Sequence, residues 1–325
     1  MSKTAVILNL TQYLGDIICQ MPMLDYCHSI TDDEIVVYSK TEKSRMLIDL
    51  GLADECRVGK KVKPAQLSDA SINRIINARP RSISSSLSCR ISGNETVGFK
   101  TISNTILLNK TIKREPDIYR PYEYLKLAGA GSDYDLSMLI TKMANKCNPA
   151  YYRKEQYTHT DKYILIIPRF RHVDKFWGYE NLTEIAQSLL SDYKGFRILI
   201  HAGPDELLQA ERLVNNIGTG AEILAKPDLM ELSRISLNAS VALIFDSGPA
   251  HIPIMSGIPV VGVFDNHTDK AEQVMRAYFD FRPGASAVLS VHGKHISSYP
   301  VDIIRNQLEI ALHQPHHEPK LVFVD

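Results

Sequence analysis

The segment Phe245-Asp246-Ser247-Gly248-Pro249-Ala250-His251 carries residue types suited to holding a phosphorylated ligand, and it completes the apolar run that begins at Val241. A strand that ends there and gives way to a helix presents the edge at which open parallel sheets bind ligands. Gly248 allows close backbone approach and Ser247 offers a hydroxyl. The first N–H groups of the following helix point outward at the positive end of its dipole, which suits a diphosphate. His251 lies one turn in and can donate to the same anion. A plain structural role fits these residues equally well, with Asp246 or Ser247 capping the helix and His251 satisfied in the core.

Pro168-Arg-Phe-Arg-His-Val-Asp-Lys-Phe-Trp-Gly-Tyr179 follows the apolar run Tyr163 to Ile167 and precedes a helical pattern. Arg169, Arg171 and Lys175 are therefore expected beside the phosphate site. Lys175 is the favoured diphosphate ligand, because an ammonium on a flexible stem acts as a point charge. Trp177, the only tryptophan, is expected to serve as core or as a loop anchor rather than as a stacking platform. At the end of the first apolar run, Leu14-Gly15-Asp16-Ile17 places a carboxylate that could take a proton from an attacking hydroxyl. An N-cap role for Asp16 is the alternative.

Such positions need strands and helices in alternation. Ala5 to Leu10 and Glu34 to Tyr38 read as buried parallel strands around a helical stretch. From Tyr163 to Phe264 the same rhythm returns, with helices at 179–190, 204–215, 229–239 and 251–256 between apolar runs. A chain of 325 residues is long for one core. The expectation is an α/β fold of two doubly wound, Rossmann-like domains at 1–150 and 160–300, joined by a polar linker at 148–161. A closing helix and surface tail would follow at 301–325.

Composition narrows the function classes. Lys plus Arg and Asp plus Glu number 37 each, so no global field draws the chain to nucleic acid or to an anionic membrane, and any such attraction must be local. Residues 57–126 nevertheless hold 14 Lys and Arg against 5 Asp and Glu. That region suits either acceptor phosphates or a solvated charged face. Five cysteines without a C-x-x-C pair argue for reduced thiols rather than a disulfide or zinc framework. Asp133-Tyr134-Asp135 is formally an Asp-x-Asp sequence, but it stands away from any strand end and is expected to be a solvated loop, so no metal is expected. With no signal-peptide core and no span of about 20 apolar residues, a cytoplasmic protein is expected, with at most peripheral contact at the inner face of the membrane.

Together these segments resemble glycosyltransferase family 9, the ADP-heptose:lipopolysaccharide heptosyltransferases, over nearly the whole chain. The resemblance is carried by Leu14-Gly15-Asp16 with Met21-Pro22-Met23-Leu24 and by Lys175-Phe176-Trp177 with Leu182 and Ile185. Ala202-Gly203 adds to it, as does Asp246 to His251 closed by Gly257-Ile258-Pro259. The chain departs from the family pattern after the histidine, where Ile252-Pro253-Ile254-Met255 replaces a run of small residues. The resemblance implies a GT-B fold with two domains facing a cleft, and inverting transfer without a metal or other cofactor. It also implies Asp16 as base, Lys175, Ser247, Gly248 and His251 around the donor diphosphate, and Gly15, Asp246, Arg169 and Arg171 in support. The implied partners are an ADP-sugar, with heptose foremost, and a saccharide or glycolipid acceptor. An epimerase or hydrolase of the same architecture, or a non-catalytic nucleotide-binding module, would use the same donor site.

Overall fold

The computed structural model describes residues 2–9, 13–147, 162–171, 176–265, 271–290 and 295–324. Contacts divide the chain into two compact units, Met1–Asp135 and Leu136–Asp325. The linker anticipated at 148–161 lies outside the described residues.

The first unit is built on β1 (Lys3–Ile7), β2 (Glu34–Ser39), β3 (Glu55–Val58), β4 (Ile72–Asn77), β5 (Glu95–Phe99) and β6 (Lys110–Ile112). They form one parallel sheet in the order β3-β2-β1-β4-β5-β6. Sequence periodicity found β1 and β2; β3, β5 and β6 are short, lie in or at the edge of the basic region 57–126, and were missed. The serine-rich segment Arg81-Ser-Ile-Ser-Ser-Ser-Leu-Ser-Cys-Arg90 contributes most of a helix, Ile83–Ser92. It escapes a hydrophobic-periodicity reading because its buried face is Ser85, Ser86, Ser88 and Cys89. Those serines are satisfied by hydrogen bonds: Ser86 Oγ donates to Asn104 Oδ1 at 2.5 Å and Ser88 Oγ to the Val62 carbonyl at 2.8 Å.

The second unit holds β7 (Lys162–Ile167), β8 (Phe196–Ala202), β9 (Ala221–Ala225), β10 (Val241–Phe245), β11 (Val260–Phe264), β12 (Ala285–Ser290) and β13 (Lys320–Val324). Its sheet is also parallel, in the order β13-β12-β11-β10-β7-β8-β9. Numbered from β7, this is the doubly wound order of the first unit with one more strand at the edge. The five residues of β10 are all buried, as a strand covered on both faces requires.

The C-terminal stretch is not a surface tail. Helix Val301–His313 packs on β10 and β11, β13 pairs with β12, and His317 is buried with Nε2 at 3.0 Å from Ser286 Oγ. Helix Leu136–Asn145 packs on helix Leu229–Asn238 and so groups with the second unit. All five cysteines are free and buried, and burial pushes the Cys27 thiol up to about 11. They are space-filling groups rather than nucleophiles.

Candidate active site

In each sheet the connections leave in opposite directions from two neighbouring central strands, β1 and β4 in the first unit and β7 and β10 in the second. The carboxyl ends of such a pair open a crevice for ligands. The residues singled out from sequence cluster at these ends.

In the second unit Ile167 of β7 pairs with Ile244 of β10, so the segments that follow emerge side by side. Arg169 Nη1 donates to the Asp246 carboxylate at 2.6 Å and also to the Asp246 main-chain carbonyl. The guanidinium expected to face a phosphate is instead tied to Asp246, where it neutralises a carboxylate that would repel an anion. Arg171 is likewise engaged, with Asp205 at 2.5 Å and Glu206 at 3.8 Å beyond the end of β8. Lys175 lies outside the described residues.

Neither Asp246 nor Ser247 caps the next helix. That helix, His251–Met255, begins after Ala250 with no side-chain cap. It has five residues, too few for a strong macrodipole, so the dipole expected to favour a diphosphate contributes little. What remains at the end of β10 is local. Among the described residues Ser247 Oγ is buried without a hydrogen-bond partner, and the main-chain N–H groups of Ser247 and Gly248 make no backbone hydrogen bond. Gly248 does not adopt a positive φ, so backbone conformation alone does not demand a glycine there. Pro253 stands in the first turn, where its missing N–H costs nothing.

His251 is buried, its ring centroid 6.1 Å from that of Tyr278. Burial pushes its pKa down to about 4 against the opposing pull of Asp246. At neutral pH it is an uncharged imidazole, able to offer an N–H but no positive charge. Trp177 is core, as expected. It is fully buried, and its Nε1 donates to the Tyr299 carbonyl at 3.1 Å.

At the end of β1, Asp16 sits in the first turn of helix Leu14–Ile18, whose N-cap is Tyr13. The N-cap reading of Asp16 therefore does not hold. Burial pushes the half-buried Asp16 carboxyl up to about 6, while the cation of Arg120 pulls the other way. Gly15 precedes it and accepts from Cys19 N at 2.9 Å.

Sequence reasoning missed the groups that support Asp16. Gln20, fully buried, donates from Nε2 to the Asp16 carbonyl at 2.6 Å and to the Asn9 carbonyl at 3.0 Å, and accepts from Asn9 N at 2.8 Å. It thereby fastens the end of β1 to the helix that follows. Arg120 is held at 2.6 Å by Glu123, a buried carboxylate that also takes two bonds from Arg114 at 2.8 and 3.0 Å. No local pattern marks these residues. The only sequence signal was a buried-type position occupied by a polar side chain.

The Asp-x-Asp sequence has a structural use: Tyr134 OH donates to the buried Asp25 carboxylate at 2.5 Å. Among the described residues, no group of three His, Cys, Asp or Glu side chains is arranged to hold a metal.

Several solved structures share this architecture. A family 9 glycosyl transferase from Veillonella parvula superposes with a TM-score of 0.70 at 16% identity, over 96% of this chain and 97% of that one. E. coli heptosyltransferase WaaC with ADP-2-deoxy-2-fluoro heptose gives 0.67 at 16% identity, over 94% and 99%. UDP-GlcNAc 2-epimerase from Methanocaldococcus jannaschii gives 0.60 at 12% identity, over 97% and 94%. No curated protein sequence matches. The family model "Glycosyltransferase family 9 (heptosyltransferase)" matches residues 65–278, about two thirds of the chain including the segments that follow β7 and β10, and the chain belongs to that family of glycosyltransferases.

Proposed function

We propose that the chain transfers a sugar with inversion, heptose from ADP-heptose, to a lipopolysaccharide-core or related saccharide acceptor. The observation that carries the donor half is the unspent set at the end of β10, where Ser247 Oγ and the N–H groups of Ser247 and Gly248 stand at the crevice of the second sheet. Ser247 Oγ is buried without a partner, and a diphosphate supplies acceptor oxygens for it and for the two N–H groups. The family of the chain, and a relative of the same fold in complex with an ADP-heptose analogue, support the choice of donor.

In this reading the acceptor oxygen attacks the anomeric carbon as its proton passes to the Asp16 carboxylate. The bond from that carbon to the diphosphate oxygen breaks, and ADP leaves with the electron pair. Lys175 supplies the positive charge for the leaving diphosphate, and Ser247, Gly248 and neutral His251 supply N–H and O–H donors. The scheme uses no divalent cation. The fold shared with the M. jannaschii epimerase favours one other reading, turnover of the nucleotide sugar without an acceptor.

Ser247→Ala separates a binding role from a structural one. Removing an unsatisfied buried hydroxyl should leave thermal stability unchanged or slightly higher, and should weaken ADP binding by about tenfold. Calorimetric titration together with a melting curve reads both. A variant that melts earlier and binds ADP as tightly as the parent would place Ser247 in the scaffold.

A further inference from the structure

Two neighbouring helices of the first unit are inside out. Helix Ile83–Ser92 buries three serines and exposes Ile83, Leu87 and Ile91, which recur at every fourth residue and so form one stripe. Helix Ile102–Leu107 does the same on a smaller scale: Asn104 is its buried residue, while Ile102 and Ile106 face outward. The helices meet through the hydrogen bond from Ser86 Oγ to Asn104 Oδ1, so their polar faces are spent on each other and on the sheet. The five outward aliphatic side chains are between 46% and 88% exposed. Single exposed isoleucines are ordinary, but an exposed aliphatic stripe on each of two adjacent helices whose polar sides point inward is not.

The rim of the patch is cationic. Residues 59–113 hold ten Lys and Arg against two carboxylates, Asp69 and Glu95. Arg81 and Arg90 flank the first stripe and Lys100 precedes the second, while Lys60, Lys61 and Lys63 lie on the segment that receives Ser88 at the Val62 carbonyl. These six cations are exposed, and no ion pair is recorded for them among the described residues. Aliphatic side chains ringed by Lys and Arg match a bilayer whose surface is anionic and whose interior takes up apolar groups. A second copy of the same face would bring one basic rim against another and be repelled.

We propose that this face docks the protein on an anionic phospholipid membrane, with Ile83, Leu87, Ile91, Ile102 and Ile106 entering the headgroup boundary. No helix of the described residues is long and apolar enough to cross a membrane, so the contact is peripheral. The assignment is independent of the donor site and of the identity of the sugar.

Flotation of the full chain with vesicles tests it. The parent protein should float with vesicles of phosphatidylglycerol and phosphatidylcholine in equal parts and be released by high salt, and it should stay behind with phosphatidylcholine alone. Ile102→Asp combined with Ile106→Asp should lower partitioning by about tenfold or more, with ADP affinity and melting temperature unchanged. Reversing the rim with Arg81→Glu and Arg90→Glu should act likewise. Failure of the parent to bind the anionic vesicles would overturn the proposal, as would flotation of the aspartate variant at the parental level. A concentration-dependent dimer in sedimentation velocity that the aspartate pair abolishes would assign the face to a second copy instead.

Discussion

Replacing Asp16 by Asn is expected to slow transfer by about two to four orders of magnitude at pH 7 while ADP binding stays within about twofold, since a general base contributes that much to rate and does not hold the donor. The parent's pH dependence should carry the same signature. With the Asp16 carboxyl pushed up to about 6, kcat/KM should fall with unit slope as pH drops below that value and be flat above it until another group titrates. The variant's residual rate should lack that bend. Stability should move the opposite way from activity. A carboxyl whose folded-state pKa lies above its unfolded value of about 4 favours the folded state fully below the unfolded value, and loses that contribution as pH rises through the folded one. Above pH 6 the ionised Asp16 therefore weighs against folding, and the uncharged amide relieves it, by about 1 kcal/mol once solvent screening of a half-buried group is allowed for. Melting curves of both proteins at pH 5 and at pH 8 read this directly: the amide's advantage should grow with pH. A variant with parental transfer would remove Asp16 from the chemistry.

Glu123→Gln should produce the second large effect, on stability and on the same pH bend. Glu123 is buried and binds two guanidinium groups, Arg114 and Arg120, that are themselves only partly exposed. Removing the carboxylate from such a cluster takes away the charge-assisted bonds it accepts from both cations, at a cost of about 2 to 3 kcal/mol by denaturant unfolding. Glu123 acts on Asp16 through Arg120: its loss removes a negative charge held 2.6 Å from that guanidinium, whose own charge already lowers the Asp16 pKa. The acidic bend in kcat/KM should therefore move below pH 6, with the plateau rate retained by the fraction of enzyme that remains folded. An unchanged bend would show that Arg120 does not tune Asp16.

How much of this was legible in sequence varies with the physics of each element. Strands β1, β2, β7, β8, β10 and β11 are continuous apolar runs, because a parallel strand covered on both faces needs apolar side chains throughout. They were found, and with them the strand ends on which Asp16, Arg169 and Asp246 to Gly248 stand. Helix Ile83–Ser92 was not found, because its polarity is reversed and its buried serines gain their stability from hydrogen bonds rather than from area. Strand β13 was hidden in a stretch with three nearby histidines, where composition suggests solvent and pairing with β12 decides otherwise. Within the site, residue type told which groups are able to bind phosphate, but not which were already engaged. Arg169 and Arg171 have the right chemistry and are committed to Asp246, Asp205 and Glu206, a matter of three-dimensional pairing that no spacing reveals.

The central claim is that this chain moves a sugar from a nucleoside diphosphate to an acceptor. Incubation with ADP-heptose and a panel of UDP- and GDP-sugars, each with and without a truncated lipopolysaccharide, tests it by two readings, ADP release and the mass of the acceptor. The account predicts one ADP formed per acceptor gaining a single heptose, with ADP-heptose preferred and no turnover when the acceptor is left out. Release of nucleotide, or conversion of the sugar, at the same rate without any acceptor would contradict it.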